Sequence, residues 1–136
     1  MSQMYGNART NFVPVIDIEG LKRSVEPFEI IIHHNAKDDT YCLVKPEYAD
    51  YDFPDTIEDD DGNEISFTWT DNVMPFIKEN TGLEVRAVAH DKRDLFGDTT
   101  IFIRHGDTVD AVGISLDDIY NMAKDKWGIA VKTIDS

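Results

Sequence analysis

Cysteine is nearly absent from this chain of 136 residues. Cys42 stands alone, so no internal disulfide can form, and the expected setting is a reducing one: the cytoplasm, or a larger particle assembled within it. Long apolar runs are missing too. No stretch approaches the roughly 18 consecutive apolar residues of a membrane helix, and residues 1–11 are polar, unlike a secretory leader. Positive charge is scarce, with 13 lysines and arginines against 27 aspartates and glutamates, giving a formal net charge of −14. Such a field opposes direct contact with nucleic acid or anionic membrane and favours partners with a basic surface. Histidine is limited to four residues. Of these, His33 and His34 are adjacent in a strand-like stretch, where neighbours point to opposite faces and do not chelate one ion together. The pattern also lacks a nucleophile beside its base, a phosphate loop, a cofactor fingerprint and a spaced metal set. The expectation is a protein that is not an enzyme and holds no cofactor.

What is present suffices for one core. Hydrophobic residues make up 41% of the chain, including seven Phe, five Tyr and two Trp. Residues 1–11 lack periodicity and read as an N-terminal arm, with a single domain over 12–136. Residues 12–18 alternate as a first strand that Pro14 confines to an edge, followed by a turn at Glu19-Gly20. Residues 27–34 form a second strand, with Phe28, Ile30 and Ile32 on one face, paired as a hairpin with residues 41–44. Ile65, Phe67 and Trp69 alternate as a further strand. A helix over about 72–81 comes next, capped by Asp71 or Asn72, tolerating Pro75 in its first turn and ending at Gly82. Residues 83–90 alternate again, which would make a crossover if this strand runs parallel to the one before the helix. Residues 91–98 read as a charged loop.

The clearest local signals lie in residues 99–131. Ile101 and Ile103, then Val109, Ala111 and Gly113, flank the turn His105-Gly106-Asp107 and predict a β-hairpin. Ser115 caps a helix over about 116–127 that Gly128 stops, and residues 129–131 return as a short strand. Trp127 is expected to be buried beside Leu116 and Ile119, making this unit the stability nucleus. The fold class is α+β: a mixed or mainly antiparallel sheet with two short helices.

Within that hairpin, Ile101-Phe-Ile-Arg104-His105-Gly106-Asp107-Thr108 resembles the strand-plus-Arg-His-Gly motif of the histidine phosphatases. The resemblance implies that His105 would attack phosphorus while Arg104 steadies the oxygens. That family also requires a second His and further Arg downstream, and nothing after Gly106 is either. Without a phosphate clamp or general acid the octapeptide reads as a hairpin turn.

Residues 45–64 are the compositional oddity. Glu47, Asp50, Asp52, Asp55, Glu58, Asp59, Asp60, Asp61 and Glu64 are opposed only by Lys45, and Tyr48, Tyr51 and Phe53 are interleaved. A calcium loop does not fit: aligning Gly62 with the invariant EF-hand glycine puts Ile57 and Thr68 at positions that need carboxylates. The segment reads as an extended excursion ending in a tight turn at Asp61-Gly62-Asn63. Its carboxylates would steer a basic partner and its aromatics would hold it. The expected function is an interaction or assembly subunit, of the kind found in viral or phage particles, contacting a basic protein or neighbouring subunits. The alternative is a nucleic-acid mimic that inhibits a DNA- or RNA-binding protein, of anti-restriction or anti-CRISPR type. Extended carboxylates at one per roughly 6 to 7 Å are sparse beside duplex DNA at about one charge per 1.7 Å. Mimicry therefore needs other acids, such as Asp91, Asp94, Asp98, Asp107 and Asp110, folded beside the excursion.

Overall fold

Small residues with period-2 alternation build the strand at the centre of the sheet. In Tyr5–Thr10 (β1), Ala8 and Thr10 are buried while Asn7 and Arg9 are exposed. The computed structural model describes residues 5–90 and 95–132. The expected N-terminal arm is thus corrected over residues 5–10, which pair antiparallel with Leu83–His90 (β6) along their whole length; residues 1–4 lie outside the described residues.

Residues 13 and 15 make only isolated bridges, to Tyr41 and Ile77, in place of the expected first strand. Ile18–Val25 (α1) is a helix where only a turn was expected. Asp17 caps it by accepting from Gly20 N–H at 3.0 Å, Glu19 and Lys22-Arg23 suit its dipole, and Leu21 and Val25 are buried along one face. A 3-10 turn, Glu26–Phe28, takes the start of the expected second strand and buries Phe28. Ile31–Asn35 (β2) and Thr40–Val44 (β3) then pair as the expected hairpin.

Thr56–Glu58 (β4) and Glu64–Ser66 (β5) form a separate two-stranded hairpin. The expected helix over 72–81 is replaced by a single turn, Trp69–Asn72 (α2), and a 3-10 turn, Met74–Phe76. Thr68, not Asp71 or Asn72, caps α2, accepting from Asp71 N–H at 3.1 Å. Pro75 lies at the start of the 3-10 turn, where its missing N–H costs no bond. No parallel crossover forms, because β6 pairs antiparallel with β1 and with Leu95–His105 (β7).

Residues 95–98, expected in a charged loop, belong to β7; residues 91–94 lie outside the described residues. β7 pairs with Thr108–Ser115 (β8) as the expected hairpin, through a two-residue turn opened by Gly106 at φ 61°. Asp118–Trp127 (α3) ends at Gly128, left-handed at φ 70°. Its cap runs opposite to expectation, with the Asp118 carboxylate accepting from Ser115 N–H at 2.6 Å. Residues 129–131 make no strand.

Among the described residues the main sheet runs β2-β3-β1-β6-β7-β8, wholly antiparallel, and the fold is α+β. Its inner face carries Ala8, Leu43, Leu83, Val85 and Ala87, covered by α1, the two 3-10 turns and the aromatic segment around Phe67. The core therefore lies at the β1-β3-β6 end, not in residues 99–131 as expected. Trp127 is 63% exposed, and Leu116 and Ile119 are also exposed.

Candidate interaction surfaces

Aromatic rings anchor the acidic excursion to the core. Phe53 meets Trp69 edge-on with centroids 4.7 Å apart, Trp69 meets Phe67 at 5.0 Å, and Phe67 meets Phe28 at 5.3 Å. Phe53 is only 8% exposed, so it is a core residue and not the partner contact expected of it. Tyr51 is half-buried, with its Cβ over Gly6; a Cβ on Gly6 would approach that atom to 2.8 Å and the Val88 carbonyl oxygen to 2.4 Å. Tyr48 alone of the three is open, 51% exposed, with its hydroxyl donating to the Phe28 carbonyl oxygen at 2.8 Å. Burial and the nearby Glu29 raise its pKa.

The carboxylates fall into separate groups. Glu58 and Glu64 face each other across β4 and β5, and Asp59, Asp60 and Asp61 occupy the turn between them. That turn is held by Asp59 Oδ1, which accepts from Asp61 N–H at 3.0 Å and Asn63 N–H at 2.8 Å. Asp52 stands near Asp55 and Asp98. Desolvation first, then the charges of Asp98 and Asp55, raise its pKa, against the lowering effect of the Phe53 N–H that it accepts at 2.7 Å. Glu47 and Asp50 are exposed at the start of the segment, where Lys45 Nζ bonds the Ala49 carbonyl oxygen at 2.8 Å. Of the acids named as possible neighbours, Asp98 does join the excursion; Asp91 and Asp94 lie outside the described residues.

The Arg104-His105-Gly106 turn is fully engaged in structure. Arg104 donates to the carbonyl oxygens of Ile77 at 2.7 Å, Gly106 at 3.0 Å and Met74 at 3.2 Å. His105 Nδ1 lies 2.5 Å from Asn80 Oδ1, and Gly106 N–H donates to the Glu79 carboxylate. Cys42 is buried, and desolvation raises its thiol pKa.

A second surface escaped the sequence reading. Cross-strand partners share a face, so the register places Val88, Ile101, Val112 and Ile114 together on the outer face of β6, β7 and β8, and all four are exposed. Leu116 extends the patch by lying over Gly97, 3.5 Å from where that residue's Cβ would be. Ile119, Met122 and Trp127 of α3 are exposed as well. An open cavity of about 240 Å³ lies between Val88, Thr99, Ile114 and Leu116. The signal was legible in Thr108–Ser115, where apolar residues occupy both parities: Val109 and Ala111 on one face, Val112 and Ile114 on the other. A strand apolar on both faces needs a second layer, and the chain supplies helices for one.

Comparison with protein-family models, curated proteins and solved structures returned no match to this chain. Among the described residues no helix is long and apolar enough to cross a membrane.

Proposed function

We propose that the protein is a non-enzymatic interaction or assembly subunit whose docking surface is the outer face of β6-β7-β8 together with α3. One observation carries the reading: Val88, Ile101, Val112 and Ile114 are exposed together on one face of the sheet, with Leu116 beside them, a grouping of exposed apolar side chains of the kind that marks interaction surfaces. Leaving such area in water is unfavourable, and burying it against another chain recovers that free energy. The acidic excursion, which packs on the opposite face of the sheet over Gly6, acts as a separate steering element toward basic surfaces.

The gathering of Asp52, Asp55 and Asp98 favours the nucleic-acid mimic as a second reading. Affinity capture from the native source, with wild type, an Ile114→Lys variant and an Asp60→Asn/Asp61→Asn variant, separates the two. Loss of the captured protein with Ile114→Lys alone supports assembly through the apolar face. Capture of a DNA- or RNA-binding protein that depends on the carboxylates and is displaced by DNA overturns it in favour of the mimic.

A further inference from the structure

We propose that the outer face of β6-β7-β8 packs face to face on the same surface of a second copy of this chain, about a twofold axis that lies between the two sheets and crosses β6 midway between Glu84 and Arg86. The proposal rests on the assembly reading and names its partner.

The sheet is covered on one side only. The helix α1, the 3-10 turns and the aromatic segment lie on the inner face, leaving Val88, Ile101, Val112 and Ile114 exposed on the other. A sheet with apolar residues on both faces is stabilised by a further layer, which a second sheet stacked about 10 Å away supplies. Charge narrows the choice of layer. The chain carries −14, yet, histidines aside, the strands of the main sheet place only Arg9, Glu84, Arg86 and Asp110 on the outer face, two of each sign. A basic partner finds no net charge to read there. The acidic excursion packs on the opposite face, where Tyr51 overlies Gly6, so joining the outer faces keeps the two excursions on far sides of the dimer and limits their repulsion.

Glu84 and Arg86 select the second copy. They stand two residues apart on one face, roughly 7 Å along β6. Arg86 Nε and Nη2 lie 2.8 and 2.6 Å from Glu84 Oε2, while the Arg86 side chain stays 64% exposed. A twofold axis between the two residues sets each Arg86 over Glu84 of the other copy, joining two ion pairs into one alternating set of four charges.

The same axis fits the rest of the face. Arg86, Thr99 and Ile114 lie at one level across β6, β7 and β8, and Glu84, Ile101 and Val112 at the next. The twofold therefore stacks Thr99 on Ile101, and Ile114 on Val112, of the second copy. One level further out, Ile103 comes over Gly97. That residue has no side chain, and the open cavity of about 240 Å³ between Val88, Thr99, Ile114 and Leu116 receives the incoming Ile103. Asp110 falls at the rim on the edge strand. Charge and shape, read from different residues, thus agree on one register. An axis at the level of Arg86 sets the two guanidinium groups against each other, and one at Glu84 does the same to the carboxylates. An axis running along β7 stacks Arg86 on Ile114, burying a charge against an apolar side chain.

The test is the solution mass of the full chain by light scattering and sedimentation. The wild type should have twice the 15.5 kDa chain mass. Ile114→Lys, Arg86→Glu and Glu84→Arg should each raise the dimer dissociation constant at least tenfold while keeping the wild-type circular dichroism spectrum. Mixing the last two in equal amounts should restore association to within a few-fold of wild type, because a copy with two carboxylates then meets a copy with two guanidinium groups. A purely internal role for the Glu84 and Arg86 pair cannot produce that rescue. Small-angle scattering of the unaltered wild type should show a compact particle with the two sheets stacked. A wild type that stays monomeric at high concentration overturns the proposal, as does a dimer whose mixed variants associate no more tightly than either alone, or an extended particle. A monomer that still captures a different protein through Ile114 overturns the twofold packing alone and leaves the assembly reading standing; a monomer whose captured protein is indifferent to Ile114→Lys removes both.

Discussion

Arg104 Nη2 donates to the Ile77 carbonyl oxygen at 2.7 Å, clamping the far end of β7 to the segment that leaves the 3-10 turn at Met74–Phe76. With Met74 and Gly106 also taken, three carbonyl oxygens share one half-buried guanidinium. Arg104→Ala leaves them short of a donor and should cost about 2 kcal/mol, read from the denaturant midpoint. Lysine should restore only part of this, because it cannot span three acceptors.

The same bonding bears on the phosphatase-like octapeptide. With Arg104 and His105 committed to Ile77 and Asn80, hydrolysis of a generic phosphomonoester should be the same for wild type and His105→Ala. A turnover that disappears in the variant would reverse this reading.

Burial separates two aromatic and aliphatic positions that the sequence pattern treats alike. Trp127, largely exposed, should lose no more than about 1 kcal/mol of monomer stability on change to alanine. Leu43, fully buried between the sheet and its cover, should lose about 2 to 5 kcal/mol. Denaturant titrations of both variants, at concentrations where the wild type is monomeric, make the comparison.

This contrast also explains which parts of the fold were legible. β6, β7, β8 and α3 follow simple periodicity and turn chemistry, and they were found, but periodicity gives the faces of an element and not what covers them. β1 was missed because a strand overlaid at close range by Tyr51 must be small inside, and Gly6, Ala8 and Thr10 carry little hydrophobic signal. α1 was missed although Asp17 and the spacing of Ile18, Leu21 and Val25 spell a capped helix, because Pro14 and the alternation before it suggested a strand. In the acidic segment, charge was legible from composition, whereas the assignment of Phe53 to the core depends on Phe67 and Trp69 arriving from later in the chain.

Asp52 gives the structure a pH signature. Its folded pKa is raised by desolvation and by Asp98 and Asp55, so the folded state holds the proton more tightly than the unfolded chain. Stability from this group is therefore present below the ordinary aspartate pKa of about 4 and is lost as pH rises through the higher folded value. Asp52→Asn keeps an acceptor for the Phe53 N–H and removes the charge. It should stabilise the protein at neutral pH, with the gain fading on acidification, in thermal melts across pH.

The acidic hairpin tip should act on rates. Exposed charge pairs contribute only about 0 to 1 kcal/mol each and are screened over about 8 Å at physiological salt, so Asp60 and Asp61 chiefly accelerate encounter with a basic partner. Asp59 is a poorer probe, since its carboxylate also holds the turn through Asp61 and Asn63. Asp60→Asn/Asp61→Asn should slow association several-fold and flatten its salt dependence, with dissociation unchanged. Tyr48, the one open aromatic of the segment, should behave oppositely: a buried aromatic contact contributes about 2 kcal/mol, so Tyr48→Ala should speed dissociation roughly thirtyfold. Phe53→Ala should weaken binding only by unfolding the segment, with a stability loss of about 3 to 5 kcal/mol. Surface plasmon resonance on the captured partner, at low and physiological salt, reads all three. Wild-type kinetics in both the Asp60/Asp61 and Tyr48 variants would reduce the excursion to a solubilising face and leave the apolar outer sheet as the sole docking surface.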